Sequence, residues 1–144
     1  MKTGLPLNQE RGAALVEAAL TMLLFVIFIF AIFEGGRFLN IQQTLTNAAR
    51  EGARLSVAPL SGTSTLATTT EVTNRVQTFL NASGLNGAAA TINVVQNHTI
   101  TGDPTHYTLV TVTVPYQVMT IPLFSNLQVN LRGRAMMRNE TNLQ

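Results

Sequence analysis

Residues 13–33 read AALVEAALTMLLFVIFIFAIF, and this stretch decides the fold. Of its 21 residues only Glu17 and Thr21 are polar. At about 1.5 Å rise per residue, a helix of this length covers ~31 Å, which matches the ~30 Å hydrocarbon core of a bilayer. The competing reading is a buried core helix. It fails on size, because a chain of 144 residues has too little mass to surround such a helix on every side. A single membrane span is expected.

One carboxylate sits inside the run. Glu17 lies four residues past its start, only ~6 Å deep, where a side chain can snorkel to the interface and the penalty is smaller than at mid-bilayer. Taken alone, it is either a tolerated interfacial residue or a functional one. Ahead of the span stands MKTGLPLNQERG, residues 1–12, with Lys2, Arg11 and the initiator amine. A secretory signal peptide would have an apolar core of ~7–15 residues ending at a small-x-small site. The core here is longer, and Phe33-Glu34-Gly35-Gly36 makes a poor site of that kind. A signal anchor cut on the cytoplasmic side fits better.

The order Arg11-Gly12-Ala13-Ala14-Leu15-Val16-Glu17 resembles the processing site of type IV prepilins: a short basic leader, a Gly, then a long apolar helix with Glu five residues after the cut. The wider stretch RGAALVEAALTMLLFVIFIFAIFEGGRFL…NAAREGAR, residues 11–54, resembles the TadE-like family of minor pilins, or pseudopilins, of tight-adherence pilus systems. The resemblance covers less than a third of the chain. Ala18 after the Glu and Ala13 at the new terminus depart from major pilins and suit the TadE-like minor pilins.

The resemblance implies cleavage by a prepilin peptidase between Gly12 and Ala13. It also implies partnership with other minor and major pilins and with the inner-membrane assembly platform. The leader would then be cytoplasmic and the C-terminal domain outside. Charge counting does not decide that orientation: two cationic side chains precede the span and three (Arg37, Arg50, Arg54) follow it closely. Cleavage would give Ala13 a free α-amino group, protonated at neutral pH, with Glu17 at i+4 on the same helix face. In type IV pilins this Glu is thought to pair with the amine of an adjacent subunit, a role the resemblance carries to Glu17.

Beyond the bilayer the helical period continues. Phe38, Ile41, Leu45, Ala48, Gly52 and Leu55 recur at spacings of three and four, and Pro59 with its Ser/Thr-rich sequel ends the pattern. One helix over 13–57 would be ~67 Å long, half in lipid and half outside. Gly35 and Gly36 interrupt it at the membrane exit, as a tolerated pair or as a hinge. Ala48, Ala49, Gly52 and Ala53 leave one side nearly bare, so another backbone can approach closely. That side is expected to pack on this chain's own sheet or on a partner pilin.

Residues 59–69 are a loop by composition, and Thr70-Glu71 opens a short helix with Val72, Val76, Phe79 and Leu80 on its apolar face. Asn81-Ala82-Ser83-Gly84 closes it. Strands follow by period at 91–96, 107–114 and 127–137. Thr101-Gly102-Asp103-Pro104 turns the first hairpin, and Ile121-Pro122-Leu123-Phe124 lies in the second connection. The expected fold is α+β and pilin-like: a long N-terminal helix packed on a small antiparallel sheet, with one short extra helix. The expected divisions are a leader (1–12), a transmembrane helix (13–33), the extracytoplasmic half of the long helix (34–58) and a small α+β domain (59–144).

Composition narrows the function. Charged residues make up 11% of the chain, well below the ~25% typical of soluble domains. The net charge is +2 and the Arg after the span are scattered, with no stripe of the kind nucleic-acid binding needs. Zero Cys excludes disulfides and thiolate chemistry. His98, Asp103 and His106 flank the first hairpin and contain metal-ligating types, but exposed polar residues near a turn are commoner, and no metal or cofactor is expected. Asn81-Ala-Ser, Asn97-His-Thr and Asn139-Glu-Thr match the glycosylation triplet, a chance pattern in the bacterial protein that the resemblance implies. No nucleophile–base ordering or phosphate loop stands out, so an enzyme is not expected. Two classes remain. One is a minor pilin acting in pilus assembly or a related secretion apparatus. The other is an uncleaved, single-span binding module with an exported β domain.

Overall fold

The computed structural model describes residues 7–58, 66–118 and 128–139, with side chains from Arg11 onward. Its elements run α1 (Leu7–Val57), α2 (Thr69–Ala82), a 3₁₀ turn (Gly87–Ala89), β1 (Thr91–Ile100), β2 (Asp103–Gln117) and β3 (Gln128–Arg138). The three strands form one antiparallel sheet in the order β1-β2-β3. This is the expected α+β architecture with a long N-terminal helix. Residues 1–6, the loop 59–65 and the second connection at 121–124 lie outside the described residues.

The chain divides into two compact units, Met1–Arg37 and Phe38–Gln144. In the first, the apolar side chains of α1 are exposed from Leu15 to Phe33. Leaving so much Leu, Ile and Phe in water would be costly, so this surface requires lipid or other apolar helices around it. α1 is long and apolar enough to cross a membrane.

In the second unit, the sheet lays its inner face against α1 and α2. Val110 and Val112 of β2, Leu131 of β3, Val72, Val76 and Leu80 of α2, and Leu45, Ala48, Ala49 and Ala53 of α1 form a single core. The buried row of α1 is rotated from the expected stripe. Ser56 and Val57 are buried, while Leu55 is only half-buried and Phe38 lies at the edge. Ser56 can replace an apolar residue because its hydroxyl donates to the Ala53 carbonyl at 2.7 Å. Phe38 instead meets the ring of Tyr116 edge-on, with centroids 6.0 Å apart.

Two glycines set how closely these layers approach. A β-carbon on Gly133 would strike the backbone of Leu45 and Thr46 in α1. One on Gly52 would lie 2.6 Å from Val76 Cγ2 of α2. β3 therefore meets α1 at backbone contact, where only Gly fits, while at Gly52 a side chain would have to displace Val76.

Local chemistry fixes the element ends. α2 begins one residue before its expected start, because Thr68 and Glu71 form a capping box: the Glu71 N–H donates to Thr68 Oγ1, and the Thr68 N–H donates to Glu71 Oε2 at 2.8 Å. Both hairpin strands are longer than expected. The turn is only Thr101-Gly102, with Gly102 at φ +89°, and Asp103-Pro104 already belongs to β2. Thr105 donates to the Asp103 carboxylate through its N–H (2.9 Å) and its hydroxyl (2.6 Å), so Asp103 anchors the strand rather than the bend. β1 continues past residue 96 through a bulge at Asn97, whose φ is +59°.

Candidate functional site

Gly12, Ala13 and Glu17 all lie in α1, with open space around Gly12 and with Ala13 and Glu17 exposed one turn apart. The Thr21 hydroxyl donates to the Glu17 carbonyl at 2.9 Å, so both polar groups of the span sit on one side of the helix. Thr21 thereby satisfies its own hydroxyl inside the apolar stretch, while the Glu17 carboxylate stays available to something outside the chain. Gly35 and Gly36 are helical, with nothing within contact of either, and Arg37 lies 3.9 Å from Glu34 beside them.

The small-residue side of NAAREGAR is covered within its own unit. Ala48, Ala49 and Ala53 are fully buried, and Gly52 faces Val72, Val76 and Val110. Among the charges of this segment, Glu51 is the hub. Its Oε1 accepts from Arg75 Nη2 at 2.7 Å and Nε at 3.0 Å, and Arg54 Nε donates to its Oε2 at 3.2 Å. The Arg54 and Arg75 hydrogen bonds hold the Glu51 carboxyl below the usual carboxylate range. This cluster clamps α2 to α1. Sequence spacing alone offers no sign of the Arg75 partner, 24 residues away.

The hairpin end carries no metal geometry. His98 pairs with Tyr107 and His106 with Thr99, so the two imidazoles belong to opposite faces of the sheet. Asp103 is engaged by Thr105 and by the Tyr107 hydroxyl at 2.6 Å. No group of three potential ligands comes together among the described residues. Asn97 and Asn139 meet in a hydrogen-bonded set instead. Thr108 Oγ1 donates to Asn139 Oδ1 at 2.9 Å, and Asn139 Nδ2 donates to Asn97 Oδ1 at 3.2 Å. That set holds the bulge in place, with Thr108 and Asn139 buried.

The outer face of the sheet is open among the described residues. Its cross-strand rows are Thr91/Thr113/Arg132, Asn93/Thr111/Arg134, Val95/Leu109/Met136 and His98/Tyr107/Arg138. The first two rows line a shallow recess of about 390 Å³. Arginines that look scattered in the sequence thus share one strand. The signal was the RGRAMMR spacing at 132–138, which puts Arg132, Arg134 and Arg138 on one side of a strand once Gly133 is known to face inward.

An apolar helix leading into a compact α+β unit fits a single-pass membrane anchor. Residues 12–54, under a third of the chain, match the family described as TadE-like protein. That match falls on the stretch carrying the prepilin-like order and suggests involvement in a tight-adherence pilus system. No curated protein and no solved structure matches the chain.

Proposed function

We propose that this chain is a minor pilin or pseudopilin of a tight-adherence (Flp-type) pilus or a related secretion apparatus. A prepilin peptidase cuts it between Gly12 and Ala13. It sits in the bacterial inner membrane with the leader cytoplasmic and the α+β domain outside, and it acts by packing on other pilins and on the assembly platform. The observation that supports this most is the order of Gly12, Ala13 and Glu17 within the matched residues 12–54, with Arg11 just ahead of them, near the start of a helix whose apolar side chains are exposed. Gly12 is unobstructed on the helix surface, and Glu17 offers a carboxylate one turn from the amine that cleavage would create. Gly35-Gly36 serves as the hinge between anchor and domain, since each Gly costs a helix roughly 1 kcal/mol relative to Ala and nothing packs against this pair.

The test is the intact mass of protein purified from its native host with the peptidase present. The mature chain should lack residues 1–12, and a bulky Gly12→Leu should retain them. A native protein that keeps residues 1–12 overturns the pilin reading in favour of an uncleaved anchored module. Alkaline phosphatase fused after Gln144 reads orientation in the same strain, since it is active only where its disulfides can form. A stable but inactive fusion would place the domain in the cytoplasm.

A further inference from the structure

The open sheet face has a composition that its fold does not require. Arg132 and Arg134 stand exposed on β3 beside threonines, with no carboxylate paired to them among the described residues. In the next row Val95 is 41% and Met136 47% exposed, flanking Leu109, and beyond it lies Arg138. An apolar centre bordered by arginines is the composition of a protein–protein contact, where Met and Arg are enriched. The cation is always Arg; Lys2 is the only Lys in the chain. Guanidinium forks bind carboxylates in a bidentate way, whereas a polyanion surface is served as well by Lys point charges.

We propose that this face docks an acidic segment of a different protein chain, its carboxylates on Arg132 and Arg134 and an apolar side chain on the Val95–Leu109–Met136 row. The domain cannot complement the face with a second copy of itself, because its described acids are engaged. Glu51 is held by Arg54 and Arg75, Glu71 by Thr68, and Asp103 by Thr105 and Tyr107. The domain's remaining residues, 59–65, 119–127 and 140–144, add a single acid, Glu140, and one carboxylate cannot serve both arginines. With strands ~4.8 Å apart and a rise of ~3.4 Å per residue, the four rows cover roughly 300 Å². That is well short of the ~800 Å² per partner of a standard interface, so the occupant is a short segment or one contact among several in an assembly. The inference goes beyond the pilin reading, since it needs neither cleavage at Gly12 nor a role for Glu17.

The test places a photoreactive benzoylphenylalanine at Thr111, in the Arg134 row and next to the apolar row, in the full chain in its native host. Illumination should give a discrete adduct with another protein, whose cross-linked peptide carries Asp or Glu. Combined Arg132→Glu and Arg134→Glu should lower the yield by at least about tenfold, and reversing the acids of that peptide to Arg should restore it. Should the double variant fail to accumulate, Arg134→Gln is read in its place, with a smaller loss expected. Paired Lys substitutions should keep part of the yield. The proposal is overturned by no adduct, by an adduct to lipid, nucleic acid or a second copy, or by a yield indifferent to charge reversal.

Discussion

Replacing Gly133 by Ala adds one methyl where β3 crosses α1, and the atoms that methyl meets are the carbonyl carbon and oxygen of Leu45 and the amide nitrogen of Thr46. None of these can rotate aside, so strand and helix must separate, and the gap would open beside Leu45 and Val112, both fully buried. Overpacking of this kind costs ~1–3 kcal/mol when side chains can give, and a backbone collision belongs at the upper end. Relief of Gly's unfolded-state entropy returns at most ~1 kcal/mol, leaving ~2 kcal/mol or more. For a domain of about 100 residues that is a fall in Tm of ~8–16 °C. The assay is near-ultraviolet circular dichroism of the full chain in detergent micelles. It reports on the two tyrosines, one of which, Tyr116, is buried against Phe38, and so is insensitive to the helix in the micelle. Gly52→Ala should cost less, because the nearest atom is a side-chain methyl of Val76 at 2.6 Å on a helix that can shift. Gly36→Ala, which meets nothing, should leave the melt unmoved. If Gly133→Ala melts within about 2 °C of the parent protein, the backbone contact between sheet and helix is not what holds the domain together.

Two further expectations concern charge. In Glu17→Gln, processing should proceed normally while co-purification with partner pilins drops sharply, since a desolvated amine robbed of its counter-ion costs on the order of 3–5 kcal/mol, less where partly exposed. Wild-type recovery of the partners would leave Glu17 as a snorkelling side chain. Asp103, held by Thr105 and Tyr107 with Arg138 nearby, has its carboxyl lowered from 3.8 to about 2. A depressed acid stabilises the fold fully above its unfolded value, so this contribution is present above pH ~4 and fades as pH falls through ~2. Carboxyl ¹³C NMR should place the Asp103 midpoint near that value and Tyr107→Phe should move it upward, whereas an ordinary midpoint in the parent would refute the hydrogen bonding.

What the sequence disclosed and what it withheld divide along the range of the interactions. The long apolar helix was legible because one bilayer's length of apolar residues has few other uses. The alternation of Val110, Val112 and Val114 marked β2, because a half-buried strand must repeat every two residues. The bulge at Asn97 was illegible, since its positive φ is fixed by Asn139, 42 residues on. The Glu51–Arg75 clamp depends likewise on two helices meeting. Gly133 joins the two kinds. As a lone Gly in a strand pattern it signals a close backbone approach, but only the helix beneath it says which face is inside. With that fixed, the two-residue period gives Arg132 and Arg134 no option but the outer face. The residue that lets the helix dock is thus also the one that sets two arginines side by side in the open. A substitution that slipped β3 by one residue would bury both charges against Leu45, which makes the arginines a guard on the register whatever they bind.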